Sequence, residues 1–395
     1  MKKRVWTVLL VSIVLLTLVI INLRNYRQLP QVRQFPQLPA YRFPGEFEKQ
    51  QAIWLQWPSE IYNLNQHPVN PVMVKIIKAL ARYIRVDLMV QSNAQLAEVR
   101  NLLKDSGFTG SNVHFYIINH QSIWTRDVGP IFVKDRQNRL NVVNFGFNNY
   151  SRGGNLQYIY SEAQVDRLVG ELFGLPVIKA SLISEGGAIE SNGRGTLMTT
   201  ASVALKRNPG LTKQQIEAEY KRVLGVRKVI WLNKGLAEDD RITGGHINEI
   251  ARFADPHTVL LARVLQEERY ASWMAGESYR RMEENCQILR NSTDQDGKPF
   301  KIIRIPMPPG FYQEANLTGS LPVRSYLNYA VTNGAVLIQT YWKPGYSALL
   351  KATEEQVKGI FQKVFPGRTI IGIDAEDVNR WGGGIHCITQ HMPGS

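Results

Sequence analysis

From Phe47 onward, short β-branched runs alternate with amphipathic helical stripes, and this alternation restricts the chain to an α/β architecture. Strand-like runs fall at residues 86–90, 113–118, 142–145, 228–232, 258–262, 335–340 and 369–373. Capping-box pairs predict helix starts at Ser161 with Gln164, Thr212 with Gln215, and Thr353 with Gln356, each ahead of an apolar stripe. Glycine pairs or triplets punctuate the pattern at Gly153-Gly154, Gly186-Gly187, Gly244-Gly245 and Gly382-Gly383-Gly384, each beside a polar or reactive residue. They suggest a repeated unit that places functional loops around one centre.

The first residues follow a different rule. Met1-Lys2-Lys3-Arg4 precedes a charge-free run at residues 5–21, near the minimum length that spans a bilayer. No small-residue cleavage site follows it, so residues 1–23 are expected to form an uncleaved signal anchor or transmembrane helix rather than a removable signal peptide. Secretion after cleavage is the alternative. Residues 24–44 carry Pro30, Pro36, Pro39 and Pro44, a semi-rigid spacer holding a globular domain at 45–395 away from the membrane. That domain is expected outside the cytoplasm.

The formal net charge of +14 invites a nucleic-acid reading, but its distribution argues against one. Seven basic residues and no acidic ones lie in the first 45, so half of the excess belongs to the leader. No nucleic-acid partner is expected. The two cysteines cannot build a disulfide framework. Cys286 lies on the stripe Tyr279, Met282, Cys286, Leu289 and reads as core. Cys387 follows three glycines, where backbone and substrate can approach closely, and is the nucleophile candidate.

Three other segments carry reactive groups. Trp124-Thr125-Arg126-Asp127 holds an Arg-Asp pair, open to reading as a structural salt bridge. Glu185 precedes Gly186-Gly187, open to reading as a solvated loop carboxylate. In Gly245-His246-Ile247-Asn248-Glu249, an extended segment would turn His246 and Asn248 to one face and Glu249 to the other. His246 alone could equally be a structural histidine.

As an ordered set these segments resemble the agmatine deiminase and bacterial peptidylarginine deiminase family, of the guanidine-modifying pentein superfamily. The likeness runs from Phe43-Pro44-Gly45-Glu46-Phe47-Glu48 and Trp54-Leu55-Gln56-Trp57-Pro58, through Trp124 to Pro130 and Phe145-Gly146-Phe147-Asn148, to the His246 segment and Gly382 to Thr389. The resemblance implies a five-bladed, pseudo-symmetric α/β propeller. It also implies hydrolysis of a guanidino group, agmatine to N-carbamoylputrescine or an arginine side chain to citrulline, with Cys387 as nucleophile and His246 as acid and base. Asp127, Glu185 and the residue two after the histidine would hold the substrate. No cofactor and no metal is implied. The partners implied are a guanidino compound or arginine side chain, the membrane through the leader, and, as an open option, a second copy in a homo-oligomer.

One position departs from the family pattern. Asn248 stands where relatives carry aspartate, so a charged contact to the guanidinium becomes neutral. Three readings follow: a hydrolase, a catalytically impaired membrane-tethered binding protein for cationic ligands, or a thiol enzyme of another reaction. On this reading Asn248→Asp should raise activity on cationic guanidines.

Overall fold

The computed structural model describes residues 40–64, 66–312 and 322–394. The expected anchor at 1–23 and most of the expected spacer lie outside the described residues. Among the described residues no helix is long and apolar enough to cross a membrane. The described residues from Ala40 onward belong to one compact unit. Tyr41–Arg42 pairs antiparallel with Ile131–Asp135, and Phe43 to Glu46 are buried, so the end of the expected spacer belongs to the globule.

The strands form five small sheets, each built on one plan. An antiparallel pair is joined by a third strand, parallel to the second and reached over a helical crossover, as parallel pairing requires. Ile131–Asp135, Leu140–Gly146 and Val177–Ile183 make one such set. Ile189–Ser191, Thr196–Thr200 and Lys228–Leu232 make the next. Ala251–Asp255, Thr258–Arg263 and Lys301–Pro306 follow, then Ala330–Val331, Ala335–Thr340 and Thr369–Asp374. The fifth joins the two ends of the domain: Gln390–Pro393 pairs with Gln50–Gln56, which runs parallel to Arg85–Val90 and onward to Val113–Ile117. All seven strand-like runs of the sequence are strands.

The repetition gives the connections a meaning. Five segments lead from one sheet to the next, at 118–130, 184–188, 233–250, 307–329 and 375–389. Asp127, Glu185, His246 and Cys387 fall one each on four of them. Gly153-Gly154 lies instead on the crossover within a sheet, between Leu140–Gly146 and Val177–Ile183.

Helix starts were partly legible. Thr212 and Gln215 make the full reciprocal box at the head of Lys213–Leu224. Ser161 instead sits in the last turn of Leu156–Glu162, and the next helix starts after Gln164 without a side-chain cap. Thr353 lies inside Ala348–Val364, whose cap is Ser347, accepting from Leu350 N. A capping-box pattern recurs inside helices, and the earlier serine, adjoining a longer apolar stripe, wins. Cys286 is core, buried on Trp273–Arg290 with Met282 and Leu289.

Candidate active site

Each reactive group is set by its own connection. Asp127 sits on the single helical turn Thr125–Val128, closed by Gly129, where a Cβ would meet Thr125 O at 2.4 Å. Glu185 leads into the turn Gly186–Ala188. A Cβ on Gly186 would meet Arg126 O at 2.1 Å, so only glycine lets the two connections touch. A Cβ on Gly187 would meet His246 Nδ1 at 2.6 Å, Asp127 Oδ1 at 2.7 Å and Asn248 Nδ2 at 3.1 Å, so three connections converge on one bare backbone position.

His246 follows Gly244 and Gly245, both at positive φ (+88° and +104°). The Asp239 carboxylate ties this loop by accepting from Thr243 N at 3.0 Å and His246 N at 2.9 Å. Cys387 follows Gly382 at φ +103°, and Gly383 lies against the Trp124 ring and the thiol itself, where a Cβ would meet Sγ at 3.1 Å. The glycine run therefore serves close approach, as its sequence suggests. Thiol, imidazole and carboxylates are all buried, with Cys387 3% exposed.

The imidazole stands between two carboxylates. His246 Nε2 is 3.2 Å from Glu185 Oε2, and Nδ1 is 3.7 Å from Asp127 Oδ1, too long for a hydrogen bond. Burial lowers the His246 pKa, but Asp127 and Glu185 together outweigh it and the net shift is upward. Glu185 has both oxygens committed, to His246 and to Arg207 Nε at 2.6 Å, and these partners hold its carboxyl below the ordinary range despite burial. It orients the imidazole and is no solvated loop acid. Asp127 accepts from Tyr150 OH at 2.9 Å and Gly187 N at 3.0 Å, while burial pushes its pKa up.

The Arg126–Asp127 pair is not a salt bridge. Successive residues on a helical turn diverge, and Arg126 turns away to Glu46, Nη1 to Oε1 at 2.5 Å.

Around the sulfur the structure departs from the sequence reading. Ile247–Glu249 is a 3₁₀ turn rather than an extended strand, advancing about 120° per residue instead of 180°. Asn248 and Glu249 therefore both reach the thiol: Asn248 Nδ2 lies 3.4 Å from Sγ and Glu249 Oε1 lies 3.7 Å from it. Glu249 was assigned to the opposite face on strand geometry, and the turn corrects this. The remaining connection, between Lys301–Pro306 and Ala330–Val331, adds Asn328, which sequence reasoning missed. Its Oδ1 accepts from His386 N at 2.7 Å and Cys387 N at 3.3 Å, and its Nδ2 donates to Sγ at 2.9 Å and to Glu249 Oε1. Burial, Glu249 and Asp127 push the Cys387 pKa well up, so the free site holds a thiol.

Asn248 is fixed from behind. Glu46 Oε1 is 2.9 Å from His386 Nε2, and a carboxylate flanked by Arg126 and Arg252 accepts only, so Nε2 carries the proton. His386 Nδ1 is then an acceptor, and Asn248 Nδ2 donates to it at 2.9 Å. This orients Asn248 Oδ1, buried and without a partner. Glu249 Oε2 and His246 Nδ1 are likewise buried without one. Asn248 Oδ1 and Glu249 Oε2 are thus open acceptors beside a buried thiol, able to take hydrogen bonds from a bound partner.

Known proteins resemble this chain over most of its length. The profile of the Porphyromonas-type peptidyl-arginine deiminase family matches residues 42–393. An agmatine deiminase of Medicago truncatula is 30% identical over 392 residues, covering 91% of this chain and 98% of that protein. The agmatine deiminase of Enterococcus faecalis, a structure described as catalysing its reaction, superposes with a TM-score of 0.75 at 27% identity, over 90% of this chain and 96% of that one. The Campylobacter jejuni agmatine deiminase, 24% identical with a TM-score of 0.70 over 90% and 96% of the two chains, shares the fold.

Proposed function

The chain belongs to the agmatine deiminase and Porphyromonas-type peptidyl-arginine deiminase family, and from that premise we propose that it hydrolyses a guanidinium group to a urea at Cys387. The observation that carries this reading is the set of buried, unpartnered acceptors at the thiol, Asn248 Oδ1 and Glu249 Oε2, beside the Asp127 carboxylate. A guanidinium is a permanent cation with a planar fork of N–H donors and satisfies all of them at once.

The arriving cation favours the thiolate, which attacks the central carbon and forms the C–S bond. His246, an imidazolium held between Asp127 and Glu185, protonates the departing nitrogen, and ammonia leaves. The imidazole then takes a proton from water, hydroxide adds to the S-amidino carbon, and cleavage of the C–S bond releases the urea. Agmatine would yield N-carbamoylputrescine and an arginine side chain citrulline. The five sheets are read as the five blades of a pentein propeller, whose connections bring the reacting groups to one end. Residues 1–23 would anchor the domain to the membrane with the site outside the cytoplasm.

The test is a ureido-product assay of the full chain in detergent, against agmatine, free arginine and a peptidyl arginine. Product that disappears in Cys387→Ser supports the hydrolase and identifies the substrate. Binding of these guanidines without product supports the second reading, a tethered binding protein, which the neutral Asn248 favours.

A further inference from the structure

We propose that Glu249 is a further catalytic residue, the group that accepts the Cys387 proton as the sulfur attacks and returns it when the urea leaves. The inference deepens the hydrolase reading and rests on it. Geometry carries it: Oε1 is 3.7 Å from Sγ, both are buried, and Asn328 Nδ2 touches both atoms and holds them in register. Asn328 is a positioning residue, pinned in turn by the backbone N–H groups of His386 and Cys387. Asn248 beside it cannot serve, since its amide nitrogen is spent on His386 and an amide oxygen is a poor proton acceptor. The negative charge missing at position 248 is thus supplied one residue later, a shift that the 3₁₀ turn makes possible.

The step balances without an outside reagent. The S–H bond breaks and its proton goes to Glu249 Oε1; the sulfur electron pair forms the C–S bond. After ammonia has left and hydroxide has added, the C–S bond breaks, the pair returns to sulfur and the Glu249 proton follows it. The hydroxyl proton of the last tetrahedral species passes to solvent water, where the ammonia released earlier takes it up as ammonium.

The groups facing Glu249 set when it can act. Burial, with the carboxylates of Asp239 and Glu238 behind it, moves its pKa up to about 8, against the donors Asn328 and Cys387, and Tyr341 lies within its field. Below that pH Glu249 and the Cys387 thiol are both protonated in the free site, and the guanidinium must expel one proton on binding. The quotient kcat/KM therefore rises with pH through about 8.

The experiment compares the full-length wild type with Glu249→Gln and Glu249→Asp from pH 6 to 10, by product formation and by iodoacetamide alkylation of Cys387 read in its peptide mass. In Glu249→Gln the thiol loses a carboxylate neighbour, so alkylation at pH 8 should quicken about tenfold. In the same variant kcat/KM should fall about 100-fold and lose its rising limb. Glu249→Asp should keep the limb with a lower kcat, and this variant carries the test if the glutamine form does not fold. A kcat/KM that rises together with alkylation, or a limb unmoved by Glu249→Gln, overturns the proposal. If the wild type makes no product from any guanidine, the hydrolase reading fails by itself. Alkylation then decides on the pair: a pH profile unmoved by Glu249→Gln overturns the proton link.

Discussion

Two buried charge clusters meet at His386-Cys387, and they are finished to different degrees. Behind the cysteine, Arg252 bonds Glu46 at 2.6 Å and Glu190 at 3.0 Å, while Arg126 takes the other Glu46 oxygen. Both oxygens of Glu46 and Glu190 and both nitrogens of His386 are partnered. In front, around Sγ and His246, Asn248 Oδ1, Glu249 Oε2 and His246 Nδ1 are left open. Behind, the His391 ring at the edge of Glu46 is left open while the carboxylates are closed by protein; in front, the open acceptors are those the proposed guanidinium would meet.

The largest effect should come from breaking the closed cluster. Arg252 also donates to the carbonyls of Leu327 and Tyr329, at 3.2 and 3.0 Å, and so ties down the connection that carries Asn328. Arg252→Met strands Glu190 and half of Glu46 in the interior. It should cost about 3–5 kcal/mol in urea denaturation, as removal of one partner of a buried pair does. A stability within about 1 kcal/mol of the wild type would mean that this cluster, too, is only loosely completed.

The open cluster should respond in the opposite sense. In Asp127→Asn the amide oxygen can keep the Gly187 N–H and the amide nitrogen can donate to the Tyr150 hydroxyl oxygen, so the denaturation midpoint should stay in place or rise, burial already disfavouring the charge. Its kcat/KM should drop about 10²- to 10³-fold, because a charge meeting the guanidinium is lost. A variant that is destabilised yet turns over normally would make Asp127 structural. The pH profile separates the two acids further. His246 has a raised pKa, so its acid form persists above the ordinary imidazole range, and kcat/KM should fall only as pH climbs through that raised value. The rising limb belongs to Glu249. In Asp127→Asn the falling limb should move to lower pH, since the charge of Asp127 is the largest single influence raising it.

This contrast explains what the sequence could and could not disclose. Seven strands were legible because β-branched runs carry their own period, and Cys387, His246, Glu185 and Asp127 because glycine pairs or a Gly-Pro turn sit beside them. Those glycines exist for close approach, so they mark the places where connections touch. Asn328 lies on the fourth connection, which has no such pair near it, and only the repeat of five sheets exposes it as the missing member. Glu249 was misplaced by assuming period two in a segment that turns with period three. Glu46 stood in a recognised motif, yet nothing local says that its carboxylate travels to His386, 340 positions away.

The smallest effect expected tests the residue that joins the clusters. The sequence alone argues that Asn248→Asp restores a family charge and raises activity; the structure reverses the sign. His386 Nδ1 presents a lone pair to position 248, because Nε2 is spent on Glu46, and burial with Arg126 and Arg252 holds the ring well below its ordinary pKa. A carboxylate there sets acceptor against acceptor, at a cost of about 1–3 kcal/mol. It turns away from His386 and disturbs the thiol 3.4 Å from Asn248 Nδ2. Asn248→Asp should therefore lower kcat/KM about tenfold at pH 8. Part of the loss should return toward pH 6, where protonation of the new carboxyl restores a donor between them. Higher activity at every pH would mean that the ring can be protonated beside two guanidiniums, and that the closed cluster is less complete than its hydrogen bonds imply.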